Sequence, residues 1–527
     1  MSFRPSLRQR AAGVTSSAWF PAFVLAGAVA VAAGILFALP VVTGALLILL
    51  LAGATWPRWN IALPKLFLVA LGAALVGYAV LGRGFAHLGY RPLYVGEAVL
   101  ALGVLAVVLG GGIRLAFRSR IAWILAAFML WGAARTVPYL GQYGLAALRD
   151  GATWGYGVFA FLVAAFILRT GWFARALTGY GRALPVILFG VPLVLLLGYL
   201  GVDLMTPDGV PLFQFRGGPA SVHLAGAAAF LALGLYTGVG RRGGHGGSLS
   251  EWLLWTAWFV GFLISATQNR GGMLAILGGV FVVLVLRPFS GWGKLAFVSV
   301  TVVSLFFLAS LDFGFQERKG RSLSPDQLVE NLQSIYGGGD AVGLQNTRNW
   351  RLRWWDKIID YTFFGKYFWT GKGFGINLSI SDGIFPSLPK DEQAALRSPH
   401  NSHLTILARA GVPGLLLWVV LQAAFGIAML RAFLRARATG QDGWARIDIW
   451  ILAYWIALNI NAAFTVYFEG PYGGIWFWSL FGFGIAALEI QRPRAYQPVT
   501  ATGSAASAEP PPSRRGARAA PSLARRA

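Results

Sequence analysis

The chain is built from apolar runs close to 20 residues long, each closed by Arg, Lys, Pro or Gly. A helix needs about that length to cross roughly 30 Å of hydrocarbon. Within hydrocarbon every backbone amide must find its partner inside the segment or in a closed barrel. Runs that are apolar all round, without period-2 alternation, therefore predict an all-α polytopic membrane protein. Composition agrees, with 56% of the 527 residues hydrophobic and only 12% charged. We delimit about fourteen transmembrane helices (twelve on a stricter reading) at roughly 18–38, 41–56, 64–82, 93–112, 120–135, 153–169, 184–204, 219–238, 251–267, 271–287, 294–314, 408–430, 447–467 and 471–490. The second and fifth are short enough for re-entrant segments.

The first run follows Arg4, Arg8 and Arg10 and so imitates a secretory signal peptide, but no small-residue cleavage site follows it. It reads as an uncleaved span. With residues 1–17 placed inside, the inner connections collect most of the arginines, among them Arg114, Arg118, Arg175, Arg182, Arg431, Arg435 and Arg437. The short outer connections carry few, such as Arg83, Arg135, Arg149 and Arg270. That asymmetry places both termini in the cytoplasm. The net charge of +24 is spread over membrane-facing loops and a tail; it fits anionic lipid headgroups and not nucleic acid. With no cysteine, disulfides and thiolate metal sites are excluded. The organisation expected is spans 1–11 over 18–314, one large polar loop over 315–407, spans 12–14 over 408–490, and a disordered basic cytoplasmic tail over 491–527.

Charge topology puts residues 315–407 outside the cytoplasm. Ser324-Pro-Asp-Gln327 reads as a capped helix start running to Gly337. A second start at Thr347 leads into a helix on which Arg348, Arg351 and Trp355 share one face. That face suits either a bilayer surface or a diphosphate. Gly371-Lys-Gly-Phe-Gly375 then supplies three alternating glycines, a turn without the strand and helix of a nucleotide fingerprint. A short helix around 389–396 returns the chain to the membrane.

The loop ends in Ser398-Pro-His-Asn-Ser-His403, and Gly411 and Gly414 follow within the next apolar run. His400, Asn401 and His403 are expected in the first turn of that helix. Two readings stand: a solvated cap using Asn401 or Ser402, or a proton-transfer group at the mouth of a membrane helix. Gly411 and Gly414 would allow close backbone approach. Arg270, in the tight Ser265–Met273 connection, is either a snorkelling anchor or a guanidinium for a substrate phosphate. Glu469, in the last outer turn, reads more simply as a solvated acid than as a cavity group.

Three of these pieces together resemble the O-antigen ligase and O-antigen polymerase superfamily of bacterial envelope glycan transferases. His400-Asn401 followed by Gly411-Val-Pro-Gly414 is similar to its His-Asn…Gly-x-x-Gly signature. Asn269-Arg270-Gly271 resembles its Ser-Arg-Gly. Arg351-Leu-Arg-Trp-Trp355 with Gly371–Gly375 resembles its loop helix and Gly-x-Gly turn, so that the likeness spans roughly residues 255–430. Asn269 stands where Ser is commoner, and Arg409 where an acidic residue is usual.

The resemblance implies a multi-span (GT-C-like) glycosyltransferase of the inner membrane with a periplasmic active site. It would transfer a glycan from undecaprenyl pyrophosphate, with inversion, to an acceptor hydroxyl on lipid A core or another glycan. His400 is the implied catalytic base. Arg270 and Arg351, with Arg348 as second choice, would hold the pyrophosphate; Asn401, His403, Gly411, Gly414, Trp355 and Gly373 are supporting residues. No cofactor is implied. The first outer loop, near Leu39-Pro-Val-Val, lacks the acids with which some related enzymes hold a divalent metal, so no metal is expected. Ligase and polymerase remain open. A transporter of lipid-linked sugars is the rival from another class, but neither an internal repeat nor broken, charged midplane helices appear.

Overall fold

The structure, a computed structural model, describes residues 56–90, 93–202, 204–213, 217–240, 247–287, 315–316, 322–323, 342–384 and 396–492. The first span, most of the second, the span at 294–314, the helix starting at Ser324, most of the short helix at 389–396 and the tail lie outside these residues. Contacts divide the chain into Met1–Gln491 and Arg492–Ala527, and all helices named below belong to the first unit.

They are α1 (Trp56–Leu81), α2 (Val95–Gly110), α3 (Arg120–Thr136), α4 (Leu145–Gly155), α5 (Val158–Thr170), α6 (Phe173–Tyr199), α7 (Gly217–Ala232), α8 (Gly247–Gln268), α9 (Arg270–Leu286), α10 (Val342–Ile359), α11 (Ser402–Ala438), α12 (Asp442–Ala462) and α13 (Pro471–Ile490). Among the described residues the only strands are two antiparallel pairs, Gly89–Tyr90 with Leu93–Tyr94 and Phe315–Gln316 with Ser322–Leu323. A helix occupies every predicted span that falls within the described residues.

Five helices in those residues are long and apolar enough to cross a membrane: Asn60–Leu81, Arg120–Tyr143, Phe173–Gly198, Ser402–Ala438 and Pro471–Ile490; the bent pair α4–α5 makes a sixth. The fifth predicted span, expected to be short, gains length because helical turns continue past Thr136 through Val137–Tyr139 and Leu140–Tyr143. The segment expected as one span at 153–169 is instead broken by 44° where α4 meets α5. Gly157 sits at the break, where a Cβ would lie 2.8 Å from the Met129 sulfur. The helix predicted from 184 begins at Phe173, so Arg175 and Arg182 lie on its first turns and not in a loop. Arg175 stacks on Trp172 at 5.0 Å, an interfacial arrangement that lets a cation sit on the helix.

The core is one continuous cluster of apolar side chains from α1–α9 and α11–α13. α13 is enclosed by the other helices, and α12 packs against α9, α7 and α11. A smaller satellite core, of Trp354, Ile358, Leu378, Leu407 and Ala408, joins α10 to the start of α11.

Candidate active site

The site is assembled at the end of the bundle where α9, α11 and α13 begin and α12 ends. Its hub is the turn 463–470 between α12 and α13. The Ser402 hydroxyl accepts from the Tyr467 and Phe468 amides at 3.1 and 3.2 Å and donates to the Thr465 carbonyl at 3.2 Å. This seats the first residue of α11 on the turn. Asn269 caps α9 by accepting from the Gly272 amide. Gly271, directly after Arg270, packs so closely on Phe464 that a Cβ would lie 2.7 Å from the phenylalanine Cβ. From α10, Arg351 donates through Nη1 to the Phe464 carbonyl at 3.4 Å and lies over Trp350 at 5.5 Å. Segments from three distant parts of the sequence therefore meet on one turn.

His400 is placed differently from expectation. The helix begins at Ser402 and Asn401 is its cap, accepting from the His403 and Leu404 amides at 3.0 and 3.1 Å, so His400 precedes the helix. Asn401 is buried, a cap without the solvation expected of it. His400 is the only non-glycine with a positive φ (54°) among the described residues. A side chain in that region costs about 1–3 kcal/mol and persists only where neighbours enforce it. They do: Trp355 of α10 donates to the Pro399 carbonyl at 2.9 Å, and the Asn401 cap fixes the other side. Trp350 meets the His400 ring edge to face at 5.7 Å.

His403, one helical turn inward, has both ring nitrogens engaged. Nδ1 accepts from the Trp418 indole at 3.0 Å and Nε2 faces the Asn459 carbonyl at 3.1 Å, an arrangement that calls for the Nε2–H tautomer. Arg348 occupies the turn of α10 before Arg351. That helix starts at Val342, five residues before the predicted start at Thr347.

The alternating glycines dock this loop onto a break in α11. Gly411 has φ 70° and ψ −172°, interrupting the helix just ahead of Pro413. The groups freed there are taken up by the turn: Lys372 N donates to Ala408 O (2.7 Å), Gly373 N to Arg409 O (3.0 Å), and Val412 N to Phe368 O (2.8 Å). Trp131 of α3 takes the Ala410 carbonyl at 2.9 Å. Gly371, Gly373 and Gly375 all have positive φ. A Cβ on them would collide with the Arg409 backbone, the Tyr139 ring and the Tyr143 side chain respectively. Close backbone approach, expected of Gly411, is met there; Gly414 instead faces Ala410 and Trp131. Lys372 is buried in an ion pair with Asp382, which also accepts from the Trp354 indole at 2.6 Å.

Sequence reasoning missed a buried ion cluster behind this turn. Asp150 of α4 accepts from Arg397 at 2.9 Å and from the Gly375 amide at 3.1 Å, and forms an ion pair with Arg409 at 3.0 Å. Arg409 is 1% exposed and also reaches the Ile376 carbonyl at 3.2 Å. Removing Asp150 would strand a buried guanidinium, a change that costs about 3–5 kcal/mol. The sequence held one signal for it: Asp150 is the only acid between Glu97 and Asp203. Glu469 is half-buried rather than solvated, with Oε1 shut away from water and without a hydrogen-bond partner. Burial raises its carboxyl pKa, and the Arg409 charge opposes that rise.

Residues 255–419 match the O-antigen ligase family. The matched stretch opens in α8 and closes in α11, so it includes Asn269-Arg270-Gly271, α10, the glycine turn and His400 through Gly414. It agrees with the resemblance read from the motifs and supports the O-antigen ligase and polymerase superfamily. Together with the apolar helices it supports a membrane protein with ligase- or polymerase-type glycan transfer activity. A search of the curated proteins found no match. Asp150, Glu469 and the 463–470 hub lie outside the O-antigen ligase match.

Proposed function

We propose that the chain is an inner-membrane glycosyltransferase of the O-antigen ligase type. It moves a glycan from undecaprenyl pyrophosphate to a hydroxyl of lipid A core or another surface glycan, on the periplasmic side. The observation that carries this reading is the meeting of the α9 start, α10 and the His400 segment on the single turn 463–470. In this mechanism a ring nitrogen of His400 takes the acceptor's hydroxyl proton. The acceptor oxygen attacks the anomeric carbon from the face opposite the phosphate. The anomeric C–O bond to phosphate breaks, its electron pair departs with the polyprenyl pyrophosphate, and the configuration inverts. Arg270 and Arg351, with Arg348 in reserve, neutralise the charge that grows on the leaving group. The enforced backbone of His400 and the Trp350 edge keep the base pre-aimed.

The test uses purified full-length protein in lipid, an undecaprenyl-pyrophosphate glycan and candidate acceptors, with chelator present. Wild type transfers glycan; His400→Ala, Arg270→Ala and Arg351→Ala lose about a hundredfold or more of that rate while unfolding at wild-type temperatures. Equal transfer by all four proteins would remove the assignment. Movement of intact donor across the bilayer, without chemical change, would make the protein a transporter.

A further inference from the structure

Between the end of α10 and the glycine turn, residues 359–369 form a compact loop with two unlike faces. Inward, Tyr361 and Tyr367 meet edge to face at 5.5 Å and close over the Lys372 ammonium, which lies 4.5 Å from the Tyr361 ring. Thr362 is fully buried and donates to the Ile358 carbonyl. The fold is tight: Tyr367 N donates to Tyr361 O at 3.2 Å and Gly371 N to Tyr367 O at 2.9 Å. A Cβ at Gly365 would lie 2.7 Å from the Tyr361 carbonyl oxygen. The loop is therefore well held, and what it exposes is fixed by its fold.

What it exposes is aromatic. Phe364 is 83% and Trp369 69% exposed, and Phe363 and Ile359 are exposed beside them. Lys366, between Phe364 and Trp369 in sequence, is also exposed. A water-facing loop of this kind would ordinarily carry polar residues, and a cluster of exposed aromatics marks a surface that something covers. Its neighbours identify the cover. Thr370 O accepts from Arg135 at the end of α3 (2.9 Å), and Phe368 O accepts from Val412 in α11 (2.8 Å). Both helices are long and apolar enough to span a membrane, and both expose aliphatic side chains close to these contacts: Val137 after α3, and Leu416, Val419 and Val420 on α11. The aromatic face thus borders the exposed aliphatic surface of two spans, at the end of α3 and beside the break in α11. Trp and Phe flanked by Lys is the composition that settles at the headgroup level, where ring and ammonium each find their preferred phase.

We propose that residues 359–369 are a membrane foot: Phe364 and Trp369 insert into the headgroup region of the bilayer, with Lys366 on the lipid phosphates. The foot holds α10 at a fixed height above the membrane surface. The proposal is independent of the chemistry assigned to the site, and its test needs no catalysis.

The absence of cysteine makes the test direct. Nitroxide labels are placed singly at Phe364→Cys, Trp369→Cys and Phe363→Cys, and at Ile380→Cys as an exposed position elsewhere on the same loop domain. The full chain is reconstituted in nanodiscs of phosphatidylcholine and phosphatidylglycerol. Collisions with oxygen, which concentrates in lipid, are compared with those of a water-soluble nickel chelate. The proposal expects an oxygen-to-nickel ratio several-fold higher at 364 and 369 than at 380, with 363 intermediate. A nickel-accessible label at both 364 and 369, like that at 380, overturns it. So does protection from both reagents, which would mean that protein covers the patch. Phe364 makes the fold-neutral position: it is the most exposed of the four, so its label alone decides the matter if Trp369→Cys perturbs the loop.

Discussion

His400 and His403 stand three positions apart and have opposite surroundings. His403 is wired into the bundle by Trp418 and Asn459, whereas His400 sits ahead of the helix on a left-handed backbone beside Trp350. The sequence presented both as residues of a first helical turn; what separates them is the cap, which the sequence offered at Asn401 or Ser402 and the structure places at Asn401. Glu469 offers a titration test at the same scale. Burial raises its pKa in the folded state, so its protonated form favours folding and that contribution is lost as pH rises through the folded value. Glu469→Gln is therefore expected to gain thermal stability over wild type between pH 4 and pH 8, the gap widening upward. Unfolding temperatures of the two proteins across that range decide it. A gap that narrows upward would mean that the Arg409 charge outweighs burial.

At the level of elements, the glycine turn and the α11 break explain each other. Gly371 and Gly383 have nearly equal φ, 57° and 59°, but only Gly371 has backbone in the path of a Cβ; Gly383 has nothing within 4 Å. Gly383→Ala should cost about 1–2 kcal/mol, the left-handed penalty alone. Gly371→Ala carries that penalty plus the collision with Arg409, and should cost at least twice as much, read by unfolding in detergent. Equal losses would mean that the docking is loose. Helix existence was legible from apolar run length because each run must satisfy its own backbone in lipid. The partners of polar groups were not legible. Asp150 finds Arg409 across more than two hundred residues of chain, and a lone acid in an apolar stretch names no partner. The glycines announced a turn, whereas the object it docks on, an interrupted helix, depends on tertiary contacts alone.

For the molecule as a whole, the arginine asymmetry makes an orientation prediction that the lack of cysteine renders easy to check. A cysteine at Gln441, in the tight connection between α11 and α12, should react with an impermeant maleimide only after the membrane is opened. One at Ile380 should react in intact spheroplasts. The reverse pattern would turn the protein over. The break at Gly411 carries a mechanical consequence. Because Lys372, Gly373 and Val412 hydrogen-bond across it, the glycine turn is fastened to α11 on both sides of the break. Lys372 is pinned to Asp382, Asp382 to Trp354 of α10, and the neighbouring Trp355 to the carbonyl of Pro399, one residue before His400. That path leaves α11 at its break and returns just ahead of its N-cap. The linkage is a closed ring, and Pro399, beside His400, is its clasp: the segment that carries the histidine is tied to α11 directly through the cap at Asn401 and, the long way round, through α10 and the glycine turn.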